Sequence, residues 1–363
     1  MLDKRKQRLL TETVHSYIYT GDPVGSKVLS GVVSDLGVSS ATIRAELNRL
    51  EKEGFLTQVH CSSGRVPTDK GYRFYVDELK RTGQWKSIIK PVELNLKTMG
   101  SSLFDVLDDL SSLVGSLSNN MVFALTPDIN QDVLSIVKFM MVGVDKVLVS
   151  FVGEFGKYVE FELDVKDEFQ QEDLNNLSQC FLDKYQGERY SLLSDHRLED
   201  VSKDIPRLSS LVNALQKKIK DFTIENENKP RLIVNGVSNM LKNPDSSTLE
   251  VVKSIVNAID ERKEFVDLLV KHLSKKECSV LIGSETEFEK LKDCSIVLSS
   301  YGSKQNPIGM LGMVGPKRMK YSKALSLVNN MKTTLDGYVN KKLDLKGIVM
   351  ERDLNIKTFS KTV

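Results

Sequence analysis

The sequence predicts a multidomain α/β (α+β) protein whose N-terminal part is a winged helix-turn-helix. The chain has 363 residues, which is enough for two or three domains with their own cores. Residues 38–77 have the pattern of a helix, a tight turn, a two-stranded ribbon and the start of another helix. Beyond about residue 100, segments with strand and helix patterns alternate.

The first three helices are predicted from apolar side chains at helical spacing and from capping residues. The first covers residues 3–20 and the second 26–33. The third follows the caps Ser39 and Ser40 and runs to residue 53. A strand pattern over residues 55–60, a return strand at 65–66 and a helix over 68–80 complete the N-terminal part.

The third helix has one narrow apolar stripe, formed by Ile43, Leu47 and Leu50. The rest of its surface is polar or small and is expected to face outward. Those outward positions are Ala41, Thr42, Ala45, Asn48, Arg49 and Lys52, with Arg44 at the edge.

The remaining two thirds predict a mixture of strands and helices. Three strands at 133–142, 146–152 and 157–163 are separated by short turns, which indicates an antiparallel meander. Further strands are expected at 231–235, 279–282, 294–300 and 308–314. Helices are expected at 103–117, 172–185, 204–223, 247–272 and 321–341. The tail after residue 344 has no clear pattern.

Composition excludes several classes of protein. The net charge is only +2, so any nucleic-acid surface must be a local patch. No apolar run approaches the roughly 18–20 residues of a membrane span, and no signal peptide is recognised. The scattered cysteines and histidines show neither metal-ligand spacing nor a catalytic set. The sequence therefore predicts a cytoplasmic protein with no membrane association, no metal, no cofactor and no enzymatic activity.

The polar side of the third helix suits a DNA groove. Arginine and asparagine can form paired hydrogen bonds with base edges, and hydroxyls near a helix N-terminus suit a phosphate. The side chains expected to contact DNA are Ser40, Thr42, Arg44, Asn48, Arg49, Lys52 and, on the ribbon, Arg65. The alternatives are a merely solvated helix face and a winged helix that binds protein.

Several stretches closely resemble the HrcA family of heat-inducible transcription repressors. At the N-terminus these are TGDPVGSKVL, SSATIRAELNRLEKEGFL and SSGRVPTDKGYRFYVD, at residues 20–29, 39–56 and 62–77. Downstream they are LIGSETEFEKLKDCSIVLSSYG at 281–302, IGMLGMVGPKRMKY at 308–321 and, more weakly, VNGVSNML at 234–241. Residues 164–229 carry little of this likeness.

The resemblance implies a homodimeric repressor that binds an inverted repeat upstream of chaperone operons. It also implies modulation by a GroEL-type chaperonin. Arg44 and Asn48 would lie on the recognition helix and Arg65 on the wing.

The domains expected from the resemblance begin with a winged helix, followed by a GAF-like α/β domain that an inserted dimerising domain interrupts. Their bounds are listed here: 1–81 winged helix; 82–99 linker; 100–165 and 274–343 GAF-like domain; 166–273 inserted dimerising domain; 344–363 C-terminal tail.

Two other functions stay open. The chain could be a ligand-responsive winged-helix regulator of other genes, or a winged-helix scaffold that binds only protein. An enzyme with a regulatory winged helix, such as a biotin repressor ligase, would need a G-R-G-R-x-G loop, which the sequence lacks.

Overall fold

A computed structural model shows a mixture of helices and sheets that divides into two compact units. The first contains residues 1–94, 111–124 and 234–363, and the second contains residues 95–110 and 125–233. The structure describes residues 2–59, 64–88, 102–127, 132–143, 145–153, 158–165, 169–195, 198–225, 230–241, 247–273, 277–302 and 307–359.

The helices and strands are named in chain order. The helices are α1 (Lys4–Thr20), α2 (Ser26–Val32), α3 (Ser40–Lys52), α4 (Asp69–Thr82), α5 (Leu103–Ser118), α6 (Gln171–Tyr185), α7 (Tyr190–Asp195), α8 (Glu199–Asp204), α9 (Ser209–Glu225), α10 (Val237–Met240), α11 (Ser247–Asp260), α12 (Arg262–Lys271) and α13 (Tyr321–Phe359). The strands are β1 (Leu56–Gln58), β2 (Arg65–Pro67), β3 (Met121–Leu125), β4 (Leu134–Met141), β5 (Lys146–Gly153), β6 (Tyr158–Asp164), β7 (Leu232–Asn235), β8 (Ser279–Ile282), β9 (Cys294–Gly302) and β10 (Pro307–Pro316).

The N-terminal elements follow the order that the sequence predicts, and side-chain caps fix where two helices begin. The Ser39 hydroxyl accepts a hydrogen bond from the backbone of Thr42, and α3 begins at Ser40. The Thr68 hydroxyl accepts one from the backbone of Gly71, and α4 begins at Asp69. The antiparallel pair β1–β2 lies between these helices. Helices α1 to α4 contribute fully buried side chains that include Leu9, Leu10, Val14, Leu29, Ile43, Leu50 and Val76.

A five-stranded sheet has the order β7-β3-β10-β9-β8. Strand β9 pairs antiparallel with both β8 and β10. Every residue of β9 is buried, and α13 packs on this sheet. Phe265 of α12 meets Phe123 of β3 edge to face, with ring centroids 5.6 Å apart. Strand β3 was not predicted; all five of its residues are buried, and its sequence shows no alternation of apolar and polar residues.

The second unit contains the antiparallel meander β4-β5-β6, as the turn spacing predicts. Alternate side chains point to one side of this sheet and are covered by the helices that follow it. Phe151 of β5 lies 5.5 Å from Phe181 of α6 and 6.2 Å from Tyr190 of α7, measured between ring centroids. Apolar residues of α9, such as Leu211 and Leu215, belong to the same core.

The structure divides the chain differently from the predicted domain bounds. Residues 100–165 were grouped with 274–343, but the meander at 134–164 shares its core with residues 169–219. Helices α10 to α12 were assigned to the insertion, but they belong to the first unit. The physical reason is that the apolar face of the meander is covered by its own following helices, a pairing that strand patterns alone do not specify.

Two helices also differ from their predicted lengths. The helix expected over residues 247–272 is two helices, because Glu261 leaves helical geometry with a ψ of 57°. The last helix was expected to end near residue 341 but continues to Phe359, through most of the predicted tail. Most of the predicted linker, residues 89–99, lies outside the described residues.

Candidate nucleic-acid interface

Helix α3 has the two-sided character that its sequence predicts. Ile43, Leu47 and Leu50 are buried, and so is Glu46, which sequence analysis had not assigned to the apolar stripe. We call the exposed positions the α3 face. Its members are Ala41, Arg44, Ala45, Asn48, Arg49 and Lys52.

Three cations of the α3 face differ in their partners. Arg49 lies 3.0 Å from Glu46, measured from Nη1 to Oε1, while most of its side chain is exposed. Arg44 and Lys52 are exposed and form no hydrogen bond or ion pair with any residue that the structure describes. Their charges are therefore available to an anionic partner, as a phosphate or base contact requires.

The two hydroxyls expected to bind phosphate have partners within the protein. The Ser40 hydroxyl donates to Ser26 Oγ at 3.1 Å, which joins the N-terminal turns of α2 and α3. The Thr42 hydroxyl lies 3.0 Å from Ser39 Oγ. Both residues stand at the start of α3, where backbone N–H groups favour an anion, and their contact with DNA stays a prediction.

Arg65 was expected to contact DNA from the wing, and its side chain is only 13 % exposed. Its Nη2 donates to Asn48 Oδ1 at 2.7 Å and lies 2.9 Å from Glu51 Oε2. Arg65 therefore packs along α3 instead of extending away from the ribbon. The rest of the predicted wing tip, residues 60–63, lies outside the described residues.

Helix α4 carries a second polar cluster, which sequence analysis missed. Arg73 donates from Nε to Glu285 Oε1 at 2.8 Å, and its Nη2 bonds both Glu285 Oε2 and the backbone oxygen of Val280. Although burial opposes the charge, the hydrogen bonds to Glu285 raise the pKa of Arg73. Arg73 thus joins α4 to β8 and the turn that follows it.

Asp69, one helical turn before Arg73, also contacts the C-terminal part of the first unit. Its Oδ1 lies 3.0 Å from Lys317 Nζ, and its Oδ2 accepts hydrogen bonds from the backbone and hydroxyl of Ser284. We call Asp69, Arg73, Ser284, Glu285 and Lys317 the α4 junction. A signal existed in the sequence, because Asp69 and Arg73 are one helical turn apart in the stretch TDKGYR and so share a face.

Two tyrosines of α4 pack against a tyrosine of α13. The rings of Tyr72 and Tyr75 lie 6.0 Å and 6.4 Å from the ring of Tyr321, the first residue of α13. The Tyr321 hydroxyl donates to the backbone oxygen of Lys317 at 2.6 Å, and burial raises its pKa. Apolar and polar contacts therefore act together to attach α4 to the C-terminal part of the first unit.

The described part of the chain holds no group of three or more histidine, cysteine, aspartate or glutamate side chains that could bind a metal. Within those same ranges, no helix has the length and apolar character needed to cross a membrane.

The comparisons with known proteins concern almost the whole chain. The HrcA protein C terminal domain matches residues 104–325. The heat-inducible transcription repressor HrcA of Acetivibrio thermocellus is 30% identical over 351 residues, which cover 95% of this chain and 99% of that protein. The chain belongs to the HrcA family.

A second relative also matches over nearly the full length of both chains. The heat-inducible transcription repressor HrcA of Clostridium botulinum, strain Alaska E43, is 30% identical over 346 residues, which cover 93% of this chain and 98% of that protein. Among solved structures, a crystal structure of a hypothetical protein at 2.2 Å resolution has a TM-score of 0.64. At 24% identity over 94% of this chain and all of the other, it shows a shared fold.

Proposed function

We propose that this HrcA family member represses heat-shock chaperone operons by binding an inverted-repeat operator as a homodimer. The observation that carries the proposal is the α3 face, where Arg44 and Lys52 are exposed and have no partner among the described residues. A repressor needs a surface that is both cationic and accessible, and this helix provides one within a chain of low net charge.

The N-terminal elements support a winged helix-turn-helix as the DNA-binding part. Residues 33–39, which include a 3₁₀ helix at Ser34–Leu36, join α2 to α3, and the antiparallel β1–β2 pair follows α3. In such an arrangement the second helix enters the major groove and the ribbon lies beside it. Arg44 and Asn48 stand one turn apart on the exposed side of that helix, and both residue types can recognise base edges.

Dimerisation is proposed to use the second unit, which contains residues 166–233 of the expected dimerising insertion. The outer side of its meander carries two apolar cross-strand pairs, Ile136 with Val152 and Met140 with Leu148. Ile136 is 46% exposed and Met140 37%. Lys138 pairs with Ser150 between them, so this side carries two separate apolar patches. Such patches suit a second copy of the same chain, because two-fold symmetry brings identical patches together.

Repression is proposed to occur by occlusion. Two α3 faces related by a two-fold axis would match the symmetry of an inverted repeat, and linking the two heads raises their effective concentration on DNA. The bound dimer would then exclude the transcription machinery. The resemblance adds a GAF-like domain, expected over residues 100–165 and 274–343, and regulation by a GroEL-type chaperonin. The protein is further proposed to act in the cytoplasm without enzymatic activity.

The proposal is tested by a gel-shift titration at fixed salt with three duplexes. These are the inverted repeat upstream of the chaperone operon of the source organism, a single half-site and a scrambled sequence. We expect the full repeat to bind about 1,000-fold or more tightly than scrambled DNA, as specific regulators do, and the half-site to bind weakly. Equal affinity for the repeat and the scrambled duplex would contradict the proposal and would favour a protein-binding scaffold.

A further inference from the structure

Asn48, Glu51 and Arg65 form a cluster between α3 and β2, which we call the Arg65 cluster. A single nitrogen, Arg65 Nη2, is 2.7 Å from Asn48 Oδ1 and 2.9 Å from Glu51 Oε2. The exposed fraction is 13% for the Arg65 side chain and 32% for Glu51. Arg65 Nε is fully buried. The cluster thus places the guanidinium against α3, beside an exposed asparagine.

The backbone beneath Arg65 is fixed on two sides. Arg65 pairs with Gln58 in the ribbon, and it exchanges two backbone hydrogen bonds of 2.9 Å with Val24. The preceding residue, Gly64, has no room for a side chain, because a Cβ there would lie 2.5 Å from the backbone oxygen of Pro23. The stretch before α2 and the start of β2 therefore hold the Arg65 backbone at a set distance from α3.

The chemistry of the cluster determines which way the Asn48 amide faces. A guanidinium only donates hydrogen bonds, so the amide atom that faces Arg65 must be the oxygen. The NH₂ group then occupies the other end of the amide. An asparagine recognises adenine with a defined arrangement, in which the oxygen accepts from N6 and the nitrogen donates to N7. An amide fixed in one orientation can therefore form one of the two possible pairs of hydrogen bonds with a base edge, but not the pair with donor and acceptor exchanged.

We propose that Arg65 is a positioning residue: held by Glu51, it orients Asn48 for base recognition and makes no phosphate contact of its own. This inference rests on the proposed DNA-binding function. It differs from the expectation from sequence, in which Arg65 itself contacts DNA.

A phosphate contact by Arg65 would be unfavourable for an electrostatic reason. The guanidinium would have to leave both partners, and the half-exposed Glu51 carboxylate would then stand unpaired near the DNA backbone. Lys52, on the same turn of α3, is exposed and has no partner among the described residues, so it meets the phosphate requirement without this cost.

The test compares Arg65→Ala, Asn48→Ala, the double variant and Lys52→Ala as the matched cation control. All carry Glu51→Gln, which keeps an acceptor for Arg65 and leaves no unpaired carboxylate when Arg65 is removed. Each full-length protein is titrated with the inverted repeat at several salt concentrations and with duplexes that carry single base-pair substitutions. Circular dichroism melting verifies the fold. If Arg65→Ala does not fold, Arg65→Met, which keeps the apolar stem and removes the donors, takes its place.

We expect Arg65→Ala to leave the salt dependence of binding unchanged, while Lys52→Ala lowers the slope of log K against log salt by about 0.9 per subunit. Arg65→Ala and Asn48→Ala should lose discrimination at the same base pair, about ten-fold or more, and the double variant should lose no more than Asn48→Ala.

Two results would overturn the inference. One is a lowered salt slope for Arg65→Ala with equal weakening on all sequences, which identifies a phosphate contact. The other is a double variant whose loss is the product of the two single losses. A failure of the proposed function is distinguishable, because the unsubstituted protein would then not prefer the repeat over scrambled DNA, and the inference would fall with it.

Discussion

Helices α3 and α4 lie in the same N-terminal part of the chain, but the α3 face and the α4 junction use their charges in opposite ways. On the α3 face, Arg44 and Lys52 are exposed and have no partner in the described structure. At the α4 junction, Arg73 and Asp69 are matched by Glu285, Ser284 and Lys317. A cation with protein partners holds the fold together, whereas a cation without them is available to a ligand.

The stretch GRVPTDKGYR at residues 64–73 contacts both regions. Its first part, at Gly64 and Arg65, meets Val24 and α3. Its second part, at Asp69 and Arg73, meets the C-terminal part of the first unit. A single continuous motif therefore combines a segment that supports the proposed DNA surface with one that attaches this surface to the rest of the unit.

The largest effect is expected at Gly71, where the two regions join. A Cβ on Gly71 would lie 2.3 Å from the backbone oxygen of Phe55, which also accepts a hydrogen bond from the backbone of Thr68. Gly71→Ala should lower the free energy of unfolding by about 3 kcal/mol, measured by urea denaturation.

Gly31→Ala is the matched control, because a Cβ at Gly31 in α2 meets nothing within 4 Å. It should be neutral or stabilising by about 0.5–1 kcal/mol. Equal destabilisation by the two alanines would show that the contact between α4 and the ribbon has no special role.

The next effect sharpens the contrast between paired and unpaired cations. Arg73→Ala removes the hydrogen bonds to Glu285 and Val280 and should lower the free energy of unfolding by about 2 kcal/mol. Arg81→Ala on the same helix is the control, since Arg81 is 72% exposed and should change stability by less than about 0.5 kcal/mol. Thermal and urea melts with equal shifts for both variants would contradict the account.

Arg44→Ala should produce the reverse result. Because Arg44 is exposed and has no described partner, stability should stay within about 0.5 kcal/mol of the parent protein. Specific operator binding should weaken by about 1–3 kcal/mol, with relaxed preference at one base pair. Weakening that is uniform across all DNA sequences would instead identify Arg44 as a phosphate contact.

The smallest effect concerns Cys294, the first residue of β9. The preceding residue, Asp293, lies 3.6 Å from Lys317 of the α4 junction, measured from Oδ1 to Nζ. Burial raises the pKa of Cys294 to about 12. At pH 8 only about one such thiol in ten thousand is ionised, so alkylation should be slow in the folded protein. Arg73→Ala should increase the rate at which the Cys294 thiol is alkylated, measured by mass spectrometry of the Cys294 peptide. Rapid alkylation in the unsubstituted protein would contradict the described burial.

The sequence predicted local features well where one helix or ribbon carries the signal. The buried stripe of α3 and its Ser39 cap follow from spacing and capping chemistry. The helices that cover the meander could not be predicted from the sequence. The alternation of apolar residues shows that one side of the sheet is buried, but it does not show which elements bury it. The position of Arg65 was missed for the same reason, since its partners Asn48 and Glu51 are distant in sequence and compete with solvent and DNA for the guanidinium.

The contrast between the two regions is tested most directly by cross-linking to operator DNA. An aryl azide is attached to Ala45→Cys on the α3 face or to Arg81→Cys on α4, each in a protein whose native cysteines are replaced by serine. We predict cross-links within the operator half-site from position 45 and none from position 81. Cross-links from position 81 with none from position 45 would contradict the account.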